Sequence, residues 1–549
     1  MVDGSTLHSG QIVRTRAGGE ASPRHLLVEK EDKAWLAIPL QPHASLPSSR
    51  ELLSLSAEDI EVVEGSLPEA AFAGIIKDLV LSWSRRYASI AHGSETHWIG
   101  NDDAFVPKEN PVPYAGRVYN EEEIVRAVDV TLDFWLTLGK EGDALEKGLA
   151  KFLGVRKSIL VNSGSSANLL AVSALTSHKL PREKRLCPGD EVITCASGFP
   201  TTVAPLIQNN LVPVFLDNDP VTLNPRMEDL EAAYREGKTK AVMFAHAMGN
   251  PFDLASVMAF CRKYDLWLIE DNCDSLGSLY AYPDENGLRT ALTGSFGDIS
   301  TQSFYPPHHL TMGEGGAVNI VRDMKLKLLV ESFRDWGRDC WCPSGKDNTC
   351  NKRFGWQLGD LPVGYDHKYI YSHLGYNLKP LDIQAAIGNV QLQRMPSFIK
   401  ARQDNWNYLR AGLDDLQSCF EFALPVHAED WQGGEFVYAD SEQRRAVPSW
   451  FGFLMLVRDS AGFSRPTFSK FLDEVKIGNR TLFGGNLVRQ PALVQLAREN
   501  SDAFRVIGNL SGSDKIMNKA IFIGVYPGLS RKMLDYIIEQ IHVFCKPYL

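Results

Sequence analysis

Two adjacent imidazoles, His308 and His309, stand in the segment SFYPPHHLTMGEGG, Ser303 to Gly316, and no lysine occurs between Lys263 and Lys325. Imidazole takes up and releases a proton near neutral pH, so the pair is a candidate acid–base site that makes no covalent bond. In LWLIEDN a run of buried-type residues terminates in Glu270 and Asp271. A carboxylate there is costly unless paired, and a protonated pyridine nitrogen is a suitable partner. In NSGSSANLLAVSAL, Gly164, Ser165 and Ser166 directly precede an apolar helical pattern, where N–H groups and hydroxyls can hold a phosphate. Phe199 in CASGFPTT can stack on a flat ring, and Ser303 and Asn377 offer further hydrogen bonds to a phosphate. Each fragment alone also has a plainer reading, a helix cap or core packing; their joint order is what is specific.

A second group is made of thiols. Cys340, Cys342 and Cys350 follow the spacing C-x-C-x7-C, and Cys273 lies upstream in the segment DNCD, two residues from Asp271. Four thiolates can hold a two-iron, two-sulfur cluster or a structural zinc ion, and this spacing does not match the plant ferredoxin pattern. Cys187, Cys195, Cys261, Cys419 and Cys545 lack such spacing and read as buried or incidental thiols.

These residues need a frame. From Ser158 to about Val390, strand-like runs (SILVN, DEVITCA, VPVFLD, AVMFAH, LWLIEDN, ISTQSFY) alternate with helical patterns, which predicts an α/β fold with a mainly parallel sheet covered on both faces. Ligands of such sheets sit at the carboxyl ends of the strands, where the residues above fall. Upstream, Asn120 can cap a helix whose first turn is Glu121 to Glu123 and whose stripe of Ile124, Ala127, Val128, Leu132 and Trp135 is expected in the core. From about Gln391 a long helix, interrupted at Pro396, leads into a smaller α+β part. The expected organisation is a β-rich appendage over 1–68, a helix and Pro-rich arm over 69–116, a large domain over 117–390 and a small domain over 391–549.

Composition excludes several function classes. The 549 residues carry a formal net charge of −10 and no long Lys/Arg run, which disfavours nucleic acid and anionic membrane partners. The first residues lack the apolar core of a signal peptide and no stretch approaches a spanning helix, so a cytoplasmic location is expected.

Taken together, GSSAN, SGFPTT, IEDNCDSLG, SFYPPHHLTMGEGGAV and GYNLKPLDIQAAIG resemble the sugar aminotransferase and dehydratase branch (DegT/DnrJ/EryC1/StrS-like) of the fold-type I pyridoxal-phosphate enzymes, from about Arg117 to the C-terminus. Within it, the histidines in place of the tether lysine and the block RDWGRDCWCPSGKDNTCNKRFG are similar to the CDP-4-keto-6-deoxyglucose 3-dehydrases. The resemblance implies a seven-stranded-type sheet and a homodimer in which Asn377 reaches the neighbouring subunit's phosphate. It assigns Asp271 to the pyridine nitrogen, Phe199 to the ring face, and Gly164, Ser165, Ser166 and Ser303 to the phosphate side. Counting along the family's S-F-x-x-x-K pattern places His308 where the lysine would stand, as the base, with His309 its neighbour.

The activity so implied is removal of the C3 hydroxyl of a nucleotide-linked 4-keto-6-deoxyhexose, with CDP the nucleotide. Pyridoxamine phosphate is held without a covalent link, and a [2Fe–2S] cluster on Cys273, Cys340, Cys342 and Cys350 passes on electrons from an NADH-dependent flavin/iron–sulfur reductase. The stretch YAYPDENGLRTAL lengthens the gap between Cys273 and Cys340 relative to the family. The resemblance makes Asp274 and Tyr305 further site candidates, near the cofactor's hydroxyl and the reacting adduct, beside the plainer readings of a helix cap for Asp274 and a packed phenol for Tyr305. Arg480, Asn486 and Arg489 form a candidate strip for substrate phosphates. The alternatives are a lysine-less 3-dehydratase that draws its amine from glutamate without a cluster, an ordinary aminotransferase, and a binding protein that keeps the fold.

Overall fold

Strands of this chain that are buried on both faces are near-continuous apolar runs, and that property organises its main sheet. The computed structural model describes residues 70–92 and 105–549, apart from 286, 343–344 and 440–442, together with the backbone of five strands between residues 11 and 66. By contacts the chain forms two units, one of residues 1–93 with 124–134 and one of residues 94–123 with 135–549. The helix and arm expected over 69–116 are therefore divided between the two units. The boundary expected near residue 390 falls inside a single helix.

In the first unit, β1 (Gln11–Thr15), β2 (Arg24–Glu31), β3 (Ala34–Pro39), β4 (Leu53–Ser56) and β5 (Ile60–Ser66) form an antiparallel sheet in the order 4-3-2-1-5. This sheet is the β-rich element expected in the N-terminal part. The helix α1 (Glu69–Ala91) follows, and its Lys77 reaches Asp129 at 2.6 Å on α2 (Glu121–Asp133). The start of α2 is capped as its sequence predicts: Asn120 Oδ1 accepts from Glu122 N at 2.9 Å and Glu123 Oε2 from Asn120 N at 3.0 Å. The expected core stripe is corrected, because α2 ends at Asp133 and Leu132 and Trp135 are exposed, while Val125 and Val130 are the buried positions.

The second unit carries the large sheet. In chain order come α3 (Lys140–Leu153), β6 (Lys157–Val161), α4 (Gly164–Leu175), β7 (Glu191–Cys195), α5 (Pro200–Gln208), β8 (Val212–Leu216), β9 (Thr239–Ala245) and β10 (Trp267–Asp271). The insertion-like stretch forms a hairpin, β11 (Leu279–Asp284) and β12 (Gly287–Leu292), whose ends Leu279 and Leu292 pair. Then follow β13 (Ile299–Ser303) and β14 (Gly316–Ile320). The part from residue 420 onward adds β15 (Phe420–Phe422), β16 (Ala428–Gln432), β17 (Glu435–Tyr438), β18 (Arg445–Val447), β19 (Gly452–Val457), β20 (Asn479–Arg480), β21 (Arg505–Val506) and β22 (Ala520–Gly524). The large sheet runs β21-β8-β7-β9-β10-β13-β14-β6, with only β14 antiparallel to its neighbours. Its eighth strand, the two-residue β21, is too short to show in a sequence pattern.

Alternate residues of one strand feed opposite cores: Val192 packs with Leu170, Val172 and Leu206, whereas Ile193 packs with Phe244, Val257 and Phe260. A third core joins α3, the helix Asp382–Gly412 and the small sheet β15-β19-β22-β20. That helix runs unbroken through Pro396, contrary to the expected interruption. No described helix is long and apolar enough to cross a membrane.

One buried carboxylate holds the sheet's carboxyl edge in shape. Glu270 accepts from Phe296 N (2.8 Å) and Gly297 N (2.7 Å) on one oxygen and from Gly294 N (2.8 Å) on the other. His246 Nδ1 accepts from Phe252 N at 3.3 Å, which leaves Nε2 to donate to Glu270 at 3.1 Å. Burial acts to raise this carboxyl, but the His246 contact and the Gly297 and Gly294 N–H groups outweigh it and hold it below its usual range. The stability it contributes is thus complete above the unfolded carboxyl's pKa and is lost as pH falls through the folded one. Glu270→Gln, which turns an amide toward two of these donors, is expected to cost about 3 kcal/mol in urea denaturation.

Candidate functional site

Because β6, β7, β9, β10 and β13 are all parallel, their carboxyl ends lie along one edge of the sheet, and the loops that follow them line a cavity of ≈ 350 Å³. The loop after β6 enters α4, whose cap is Ser163: its Oγ accepts from Ser166 N at 3.1 Å. Gly164 and Ser165 line the cavity. Ser166 does not; its hydroxyl donates to Asn162 Oδ1 at 2.6 Å. A Cβ on Gly164 would stand 2.5 Å from the Cβ of Ser303, so the missing side chain lets the end of β13 close against the helix start. Ser165, Ser303 and the free N–H groups of α4 thereby share one wall, a ready anion cradle.

Asp271 ends β10 and is buried. Its Oδ2 accepts from Asn168 Nδ2 at 2.8 Å and Thr202 Oγ1 at 2.7 Å, and Thr301 Oγ1 donates to Asn168 Oδ1 at 2.6 Å. The carboxylate is thus aimed by α4, α5 and β13 together. Asn168 and Thr202 escaped the sequence reading although both stand in its motifs, GSSAN and SGFPTT; a polar residue one helical turn past the Gly-Ser-Ser start was the available signal. Phe199 is half exposed and lines the cavity, with its ring edge-on to Phe483 at 5.8 Å.

The loop after β13 separates the two histidines. His308 lines the cavity, its Nδ1 3.5 Å from Asp274 Oδ1 and without a hydrogen-bond partner, its ring 5.4 Å from that of Phe451. His309 is buried and bonds the carbonyl of Ser449 at 2.7 Å. Burial and the nearby Arg402 charge lower His308 to about 4, so its ring is neutral and able to accept a proton. Burial and the Asp271 charge push Asp274 up to about 8, so it is mostly the neutral acid at neutral pH. Tyr305 is half exposed and lines the same cavity.

Tyr114, from the Pro-rich arm, also lines it, with the Arg480 guanidinium 4.3 Å over its ring. Of the candidate phosphate strip only Arg480 is brought to the cavity; Asn486 and Arg489 are bonded to Asp514 at 2.8 and 3.0 Å. Asn377 pairs through its backbone with Asp335 and is not among the lining residues of its own chain's cavity.

The thiols divide. Cys340, Cys342 and Cys350 line one small cavity with His367, Arg353 and Lys368, whereas Cys273 lines the large one beside Asp271. Burial opposes ionisation of Cys342, yet hydrogen bonds with Thr349, Cys340 and Cys350 bring its thiol down to about 7. Burial and the Asp271 charge drive Cys273 the other way, well above the usual thiol range. Three thiols therefore suit a thiophilic metal group, while among the described residues no three His, Cys, Asp or Glu side chains are already arranged around a metal position. The hairpin Leu279–Leu292 accounts for the long gap between Cys273 and Cys340 and, because its ends meet, adds residues without adding distance.

Residues 118–542 match the DegT/DnrJ/EryC1/StrS aminotransferase family. The lipopolysaccharide biosynthesis protein RfbH of Salmonella typhimurium is 50% identical over 441 residues, 80% of this chain and 93% of that protein. A dTDP-4-dehydro-2,6-dideoxy-D-glucose 3-dehydratase of Saccharopolyspora spinosa is 43% identical over 468 residues, 85% of this chain and 92% of that one. Among solved structures, the E. coli GDP-4-keto-6-deoxy-D-mannose-3-dehydratase with bound hydrated PLP superposes with a TM-score of 0.65 at 26% identity, covering 78% of this chain and 99% of that chain.

Proposed function

Because the chain belongs to the DegT/DnrJ/EryC1/StrS aminotransferase family, we propose that it removes the C3 hydroxyl of a nucleotide-linked 4-keto-6-deoxyhexose using pyridoxamine 5′-phosphate that is bound but not tethered. The observation that carries this reading is His308. The loop that would present a tethering amine presents a neutral imidazole to the cavity instead. CDP is the nucleotide to which the resemblance of the cysteine block points.

The residues fit such a cofactor, since a phosphate cradle, a buried carboxylate and an exposed aromatic ring line a single cavity. When bound, the pyridoxamine supplies an amine to capture the C4 ketone and a ring that takes up electrons as a neighbouring proton leaves. Ser165, Ser303 and the α4 N-terminus hold the phosphate. Asp271, fixed by Asn168 and Thr202, pairs with the ring nitrogen and keeps it protonated. Phe199 covers one ring face. His308 accepts the departing proton on its imidazole and can return it to the leaving hydroxyl. Asp274, held mostly protonated, and Tyr305 can donate hydrogen bonds into the same space.

Replacing the C3 hydroxyl by hydrogen, with loss of water, consumes two electrons and two protons. In this reading an NADH-dependent flavin/iron–sulfur reductase provides the electrons, and Cys340, Cys342, Cys350 and Cys273 would hold a [2Fe–2S] cluster that accepts them singly. The support is the gathering of three thiols in one cavity; Cys273 lines the other cavity, beside Asp271, so its place as the fourth ligand rests on the resemblance alone. The enzyme would act as a homodimer, with Asn377 serving the partner's phosphate. The test is anaerobic incubation of the purified chain with pyridoxamine phosphate, a CDP-4-keto-6-deoxyhexose and the reductase with NADH, followed by mass spectrometry. A 3,6-dideoxy-4-ketosugar supports the reading; recovery of the 4-amino sugar or of unchanged substrate refutes it.

A second reading, renewal of the amine by glutamate without a cluster, is favoured by the separation of Cys273 from the cavity that gathers the other three thiols. Iron analysis separates the two. Cys340→Ser with Cys342→Ser is expected to lower iron per chain about tenfold with pyridoxamine phosphate affinity little changed. Wild-type protein purified anaerobically without iron would leave the glutamate route.

A further inference from the structure

Arg402 lies on the inner face of the helix Asp382–Gly412 and is buried, yet its partners are carbonyls. Its Nη1 donates to Trp450 O at 3.2 Å and Phe451 O at 3.3 Å, and its Nη2 to His308 O at 3.2 Å, with Pro307 O at 3.5 Å. One guanidinium therefore ties together two separate segments, the loop that carries His308 and the chain that leads into β19. Both walls of the slot that holds the His308 ring hang from it, because the Phe451 ring stands 5.4 Å from that imidazole. A second tie runs parallel, from His309 to the carbonyl of Ser449.

A buried cation is a costly way to pack a helix against a loop; apolar side chains of the same volume do it as well or better. The planar fork does what a methionine cannot: its divergent donors meet four carbonyls from two segments at once and so set the distance between them. We propose that Arg402 is a positioning residue, a strut that fixes the His308 main chain against the Phe451 wall so that the imidazole faces the cavity. This rests on the reading of His308 as the base, but the strut itself is a property of the chain that can be measured without turnover.

The first measurement is hydrogen–deuterium exchange of the full-length chain with pyridoxamine phosphate added. Arg402→Met is expected to speed exchange in the peptides over residues 304–312 and 449–452 about tenfold or more. Arg402→Lys, a single point donor, is expected to fall between wild type and Met. Arg410→Met is the control: that arginine is also buried, lies two turns further along the same helix and packs on Phe422 and Trp431. It is expected to lower the unfolding temperature without changing exchange in those two peptides.

The second measurement uses His308→Lys, in which an amine at position 308 can bond the aldehyde form of the cofactor. Adding Arg402→Lys is expected to reduce the fraction of chains linked, read by absorbance and by mass after borohydride reduction. Unchanged exchange over 304–312 in the Arg402 variants, or equal loosening by Arg410→Met, overturns the strut. Failure of His308→Lys alone to link would count against His308 as the tether position, leaving the exchange result to decide the strut.

Discussion

His308→Asn is expected to slow C3 deoxygenation about 10²- to 10⁴-fold, the usual loss when a positioned general base is removed. Substrate KM should change little, because in the proposed reading the ring meets the reacting proton and not the nucleotide. Asparagine is close in size to imidazole's near half and keeps polar atoms in the slot beside Phe451, so the loop is retained; His309 still holds Ser449 and Arg402 still holds the His308 carbonyl. A single-turnover measurement with excess protein, quenched and analysed for the dideoxy product, reads the step directly. His308→Lys provides the complement: turnover is lost and a covalent lysine–cofactor absorption band appears. A His308→Asn protein as fast as wild type would remove the central assignment.

Asp271→Asn should show the next largest effect. The carboxylate is buried and lines the cavity, accepting from Asn168 and Thr202 on Oδ2 and, at 3.3 and 3.5 Å, from Cys273 N and Thr301 on Oδ1. A hydrogen bond to a charged group contributes about 1.5 to 3 kcal/mol, which predicts pyridoxamine phosphate binding about 10- to 100-fold weaker by fluorescence titration. The rate should fall further, because a ring nitrogen without a carboxylate partner is a poorer electron sink. Thr202→Val, which removes one of the hydrogen bonds that aim the carboxylate, is expected to weaken binding much less. Equal affinity and rate in Asp271→Asn would show that the ring lies elsewhere.

Much of the site was legible because side-chain chemistry is local. A Gly-Ser-Ser helix start, a buried strand that ends in acid, and histidine where an amine would tether a cofactor can each be read from a dozen residues. Counting along the pattern of the resembled family pointed to His308 over His309, and of the two only His308 lines the cavity. The parallel strand and helix alternation follows from apolar runs that cannot face water on either side. Less legible was whatever depends on distant partners. The helix Asp382–Gly412 passes through Pro396 because packing of Phe398, Trp406 and Leu409 into the core outweighs one missing N–H. Leu132 and Trp135 recur at helical spacing, yet the helix ends before Trp135 and both stay exposed. Ser166 belongs to the cap and not to the cavity, a difference of one rotation on the first helical turn.

By itself, then, the amino-acid order determined which chemical groups are present and which strand ends carry them, since composition and hydrophobic period are properties of short segments. Only the tertiary structure decided how they face one another. It put Cys273 with Asp271 and the other three thiols in a cavity of their own, paired Asn486 and Arg489 with Asp514, and placed Arg402 beneath His308 from a helix 94 positions away. The physical reason is that orientation is fixed by hydrogen bonds and packing across long sequence separations, whose strength depends on burial and geometry that no local pattern encodes.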